Sequence, residues 1–111
     1  MSHELVIFVQ DSLRGRPAEG LAVEVTFCDA NGSRLVPAER RTARDGCCRL
    51  AWPRSAVRCR AEVRAAEYWK SSELTATFGQ PVLDFSKTPG DQTVICLLIS
   101  PHGYTSYRGY A

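Results

Sequence analysis

Histidine is almost missing from this chain: His3 and His102 are the only two in 111 residues. The five cysteines (Cys28, Cys47, Cys48, Cys59 and Cys96) match no zinc-ligand spacing, so neither a metal centre nor another cofactor is expected. Their count is odd and two of them are adjacent, which fits a reducing cytoplasm better than a secreted disulfide framework. Lysine is scarce too, with two against twelve arginines, and the net charge of +2 is spread along the chain. The absence of a basic block, or of aromatics interleaved with basic residues, argues against a nucleic-acid partner. The N-terminal stretch carries no basic segment and only five consecutive apolar residues, Leu5 to Val9. That predicts neither a signal peptide nor a membrane span.

What is present is a soluble chain with 44% hydrophobic and 23% charged residues, enough for one domain over residues 1–111 with a core of its own. Short β-type runs alternate with turn residues. Glu4 to Asp11 places Leu5, Ile7 and Val9 on one face and Val6, Phe8 and Gln10 on the other. Leu21 to Cys28 turns Leu21, Val23, Val25 and Phe27 to the core, and Asp29-Ala30-Asn31-Gly32 reads as a hairpin turn. Weaker runs follow at Glu39 to Ala43 and Cys47 to Trp52, the second stopped by Pro53. Val57 to Ala65 alternates cleanly, with Val57, Cys59, Ala61, Val63 and Ala65 predicted to face inward. Glu67 to Ala76 is the one plausible helix, with Ser71 or Ser72 near its start, and Val82 to Phe85 and Thr93 to Ser100 complete the strands. Seven or eight short strands with turns this frequent predict an all-β sandwich with one helical segment.

The final eleven residues are too rich in polar groups, glycine and tyrosine for a buried strand, and too aromatic for a disordered tail. They are expected to fold back over the chain's own sheet or a neighbour's. Their pattern, Ser100-Pro101-x-Gly103-Tyr104-x-Ser106-Tyr107-Arg108-Gly109, resembles the C-terminal signature of the transthyretin and 5-hydroxyisourate hydrolase superfamily. Further segments resemble that superfamily in matching order. They are Asp11 with Arg14, Gly15, Pro17 and Ala18 after the first strand, Arg44-Asp45-Gly46 followed by Trp52-Pro53, and Tyr68-Trp69-Lys70 at the short helix.

The resemblance implies a sandwich of two four-stranded sheets with one short helix, assembled as a homotetramer, a dimer of dimers. It also implies a channel between the dimers where a small molecule binds. Phe8, Gln10, Val94, Cys96 and Leu98 would then line the channel, with Tyr107 and Tyr110 close by. In the hydrolases the chemistry rests on two histidines, an arginine and a C-terminal serine, and those positions correspond here to Phe8, Val94, Cys47 and Tyr110. None is retained, and neither are the lysine, glutamate and threonine that the hormone carrier has at the positions of Phe8, Cys47 and Val94. Hydrolysis of a cyclic amide needs a base for water and a donor for the oxyanion, and Phe8 and Val94 supply neither.

The remaining chemistry-bearing residues are few. Cys47 reads as a nucleophile or as a small filler in the arginine's place, and Cys48 as a buried hydrophobe. Arg108 is either the cation for an anionic or carbonyl-bearing ligand or the anchor of the tail. Tyr107 can donate a hydrogen bond and stack on a flat ring, and Gln10 can bond a ligand amide or an interface group. His102 is expected in an outer loop. Together these predict a divergent hydrolase-like enzyme for a small apolar or aromatic heterocycle, which it opens, closes or isomerises. A carrier using the same channel without chemistry and a tetramer that serves only as a scaffold are the alternatives.

Overall fold

The computed structural model describes residues 2–71 and 80–109. Among these described residues nine strands and one helix follow in the order β1 (His3–Asp11), β2 (Arg16–Pro17), β3 (Ala22–Asp29), β4 (Ala38–Arg41), β5 (Cys47–Trp52), β6 (Ala56–Val63), α1 (Ala65–Lys70), β7 (Val82–Ser86), β8 (Gln92–Ser100) and β9 (Gly103–Gly109). They form two sheets. One runs β4-β3-β6-β7, and the other runs β2-β1-β8-β9 with β5 also on β1. β5 pairs with His3 to Phe8 and the two-residue β2 with Gln10 and Asp11, so they share one side of β1 end to end. The long strands therefore give four per sheet, as the resemblance implied, and β2 is an addition to that plan. β1 and β8 are parallel, and every other pair is antiparallel.

The alternation read from the sequence decides which faces meet. Leu5, Ile7 and Val9 from β1 and Leu97 and Ile99 from β8 pack against Val23, Val25, Cys59, Ala61 and Val63 of the other sheet. Each fully buried Leu, Ile or Val of this kind contributes about 1.5–3 kcal/mol of transfer free energy. Trp52 closes one end, edge-on to Phe27 at 4.9 Å and to His3 at 5.7 Å between ring centroids. Its indole N–H donates to the Ala56 carbonyl at 2.8 Å, so the buried polar atom is satisfied. All five cysteines are free thiols. Among the described residues no helix is long and apolar enough to cross a membrane.

Asp11 ties the helix to the first strand. Its carboxylate is fully buried and accepts bonds from the Arg14 backbone N–H at 2.9 Å, the Arg14 guanidinium at 2.8 Å and the Tyr68 hydroxyl at 2.8 Å. Burial alone would raise its pKa, but these donors together outweigh it and leave the pKa below the ordinary value of 3.8.

Three sequence expectations change. Val57 is exposed, not inward, because β6 carries an extra residue: Arg58 pairs with Cys28 but Ala56 with Asp29. This bulge turns Ala56 into the core in place of Val57. The helix begins at Ala65, two residues earlier than expected, and Ser71 lies at its C-terminal end. The expected stretch beyond it, residues 72–76, lies outside the described residues. The tail does not lie over the sheet; it becomes β9, antiparallel to β8 at the sheet's edge. An edge strand needs no apolar face on both sides, which is how a Gly- and Tyr-rich segment can be a strand. The Asp29–Gly32 turn forms as expected, with the Gly32 N–H bonded to the Asp29 carbonyl at 3.0 Å.

Candidate functional site

Because Leu5, Ile7 and Val9 point into the core, Glu4, Val6, Phe8 and Gln10 project from the outer face of the sheet. The pairing register carries that face across its neighbours. Phe8 stands between Cys47 of β5 and Cys96 of β8, and Cys96 is opposite Tyr107 of β9. One pleat along, Val6 stands between Arg49 and Val94, and Val94 is opposite Gly109. In the other direction Gln10 is beside Leu98, which is opposite Thr105. The register thus gathers Phe8, Gln10, Cys47, Val94, Cys96, Leu98 and Tyr107 on one face. Tyr110 lies outside the described residues.

Arg108 departs from this set. It is opposite Ile95, so it belongs to the face directed at the second sheet. There it borders an edge groove with Asp84, Phe85, Tyr104 and Ser106. Tyr107 and Arg108 alternate across β9 in register, though both border this groove. Arg108 also borders a second groove with Gln92, Val94 and Gly109, so it stands at the edge between the two faces.

Two glycines shape the row. Gly46, at φ +80°, lets the chain turn into β5; a Cβ there would lie 2.6 Å from the Val9 carbonyl oxygen and 3.3 Å from the Phe8 ring. The turn is held by the Asp45 carboxylate, which accepts the Cys47 N–H at 3.0 Å, and by Val9 N–H bonding the Gly46 carbonyl at 2.9 Å. Gly109 lies under Cys96 and Val94, where a Cβ would come within 2.7 Å of the Cys96 sulfur.

Cys47 is half-buried and its pKa is raised, first by burial and then by the negative charge of Asp45, with Arg49 opposing. That direction runs against an activated thiolate. Cys48 and Cys59 belong to the core, where burial pushes their thiols up to about 11 and about 12. His102 sits in the exposed β8–β9 turn.

A polar group that sequence spacing did not reveal completes the face. Glu4, on β1, accepts from the Gln92 amide at 2.9 Å and lies 3.7 Å from the Arg49 guanidinium. Residues 4, 49 and 92 meet only through the β5-β1-β8 register, so no local motif announces them.

The comparisons agree with this architecture. The family model described as the HIUase/Transthyretin family matches residues 5–109. The chain is 35% identical over 112 residues to the 5-hydroxyisourate hydrolase of Caulobacter vibrioides, covering 95% of this chain and 96% of that protein. It is 29% identical to the 5-hydroxyisourate hydrolase of Salmonella typhi, covering 97% of this chain and 82% of the relative. That of Salmonella dublin is also 29% identical, over 95% and 79%. By the span of the family match and the near full-length relationship to the Caulobacter protein, this chain belongs to the HIUase/Transthyretin family.

Proposed function

We propose that this protein is a divergent member of its family that acts on a small, flat, largely apolar or aromatic heterocycle held against the outer face of the β5-β1-β8-β9 sheet. The observation that carries the reading is the row Cys47–Phe8–Cys96–Tyr107. Two thiols, a phenyl ring and a phenol make a stacking surface with hydrogen-bond donors and no imidazole, where histidine-based water activation has no base to run on. Ring opening, closure or isomerisation then relies on positioning, with the Tyr107 hydroxyl and the Gln10 amide as the hydrogen-bonding groups. Cys47 serves as a protonated thiol that donates, in keeping with its raised pKa.

The wall is half a site. Tyr107 and Leu98 are exposed at 53% and 39%, and a flat ligand on one open sheet leaves its second face in water. A second copy facing the first would close it into a channel, as in the proposed homotetramer, and would keep that apolar surface from solvent. A carrier that holds the same ligand without chemistry is the second reading, favoured by the raised pKa of Cys47.

Sedimentation of the protein with 8-anilinonaphthalene-1-sulfonate, an aromatic dye carrying one sulfonate, tests the proposal. The account expects a tetramer that binds the dye, with binding lost in Leu98→Glu. A monomer, or dye binding indifferent to Leu98→Glu, would remove the channel from the account.

A further inference from the structure

Two grooves are each lined by three arginines, and their charge balance separates them. On the outer face of the β4-β3-β6-β7 sheet, Arg34, Arg58 and Arg60 share a groove with Glu24, Glu62 and Asp84, so its charges cancel. The other groove lies at the C-terminal end of α1, where Arg14, Arg16 and Arg44 meet Tyr68 and Ser71. Among the described residues Glu19 is the one carboxylate that lines it.

Three segments bring these arginines together. Arg14 stands in the turn after β1, which the Gly15 N–H closes on the Asp11 carbonyl at 2.9 Å. Arg16 is opposite Asp11 in β2. Arg44 lies two residues before Gly46, where a Cβ would come within 2.9 Å of the Pro17 Cβ, so its turn packs directly on β2.

Arg14 is held in advance of any ligand. The buried Asp11 carboxylate takes its Nη1 at 2.8 Å, and its guanidinium carbon lies 6.0 Å and 5.7 Å from the ring centroids of Tyr68 and Trp69. A guanidinium has more donors than one carboxylate oxygen uses, and this side chain stays 27% exposed, so donors remain for an oxyanion. Arg16 and Arg44 are exposed, with no hydrogen-bond or ion-pair partner among the described residues. Asp11 is occupied by Arg14 and Tyr68, so only Glu19 offsets the other two arginines and the groove keeps an excess of positive charge.

That arrangement specifies an occupant. Cations from three segments suit a group with several charged oxygens, whereas a carboxylate is satisfied by one guanidinium fork. The groove has a volume of about 550 Å³, which leaves room for more than the anion alone. We propose that Arg14, Arg16 and Arg44 form a site for the phosphate group of a small organic phosphate, whose carbon skeleton lies along the groove beside Tyr68. The site shares no lining residue with the outer face of the β5-β1-β8-β9 sheet, so it stands or falls apart from the function proposed for that face.

Titration calorimetry with ribose 5-phosphate, ribonate and inorganic phosphate tests this. The account expects ribose 5-phosphate to bind tighter than either of the others. Arg16→Ala and Arg44→Ala, at exposed positions without partners, should each weaken it about tenfold, the loss of one charge-assisted hydrogen bond. Arg34→Ala, in the balanced groove, should leave it unchanged. No binding to the intact protein, or affinity unchanged in both Arg16→Ala and Arg44→Ala, would overturn the site. Equal weakening by Arg34→Ala would replace it with general attraction to a basic surface. Ribonate binding as tightly would overturn the phosphate assignment, and inorganic phosphate binding as tightly would overturn the organic skeleton.

Discussion

The sulfur of Cys96 lies directly over the backbone of Gly109, so close that a Cβ on residue 109 would meet it at 2.7 Å, and the Val94 methyl at 3.0 Å. The glycine of the tail's Tyr-Arg-Gly sequence is therefore a packing requirement between β8 and β9. Gly109→Ala is expected to destabilise the fold by about 1–3 kcal/mol, the usual range for inserting a carbon into a filled site. Because the sulfur is the nearest obstacle, Cys96→Ala should return part of that loss in the double variant. Urea unfolding of the four proteins in the cycle measures it; simple additivity of the two single changes would contradict the contact.

Asp11 makes stability depend on acid. Its folded pKa lies below the ordinary 3.8. Its contribution is therefore complete above the unfolded value and is lost as pH falls through the lower folded one. Asp11→Asn should flatten the fall in unfolding free energy below about pH 4. Tyr68→Phe, which removes one donor at 2.8 Å, should cost about 1–2 kcal/mol at neutral pH. Denaturant titrations at a series of pH values test both, and an Asp11→Asn profile parallel to the parent's would contradict the network.

Much of this architecture could be read from residue order. Cys47 to Trp52 was predicted as a strand with the bounds it has, because Gly46 and Pro53 bracket it and Cys48, Leu50 and Trp52 alternate inward. The outer-face set of β1 followed from the same period-two pattern, and that of β8 from the family resemblance. The bulge at Val57 was hidden, since the clean alternation of β6 continues straight through it and only its pairing with Cys28 and Asp29 shows the extra residue. The alternation of Tyr107 and Arg108 required knowing that the tail is a strand, and its composition pointed away from one. Glu4, Arg49 and Gln92 were invisible for a different reason: their meeting depends on which strands are neighbours, a nonlocal property that spacing does not encode.

Cys47 should be a slow thiol. With its pKa raised above the ordinary 9.0 by burial and by Asp45, alkylation by iodoacetamide at pH 7.5 should lag behind that of a free cysteine. Asp45→Asn removes the charge while keeping an oxygen to cap the Cys47 N–H, and should speed the reaction several-fold. Peptide mass spectrometry of timed samples follows Cys47 apart from Cys28 and Cys96. Alkylation faster than the free thiol would restore Cys47 as a nucleophile.

The central claim is that the face once suited to histidine-driven hydrolysis has been rebuilt for a different heterocycle. The most direct measurement is the ultraviolet decay of freshly generated 5-hydroxyisourate with the purified protein, beside Cys47→Ala and Tyr107→Phe. The account predicts decay no faster than the buffer blank in all three. Clear acceleration by the parent protein, reduced in either variant, would contradict it and show that this face activates water without histidine.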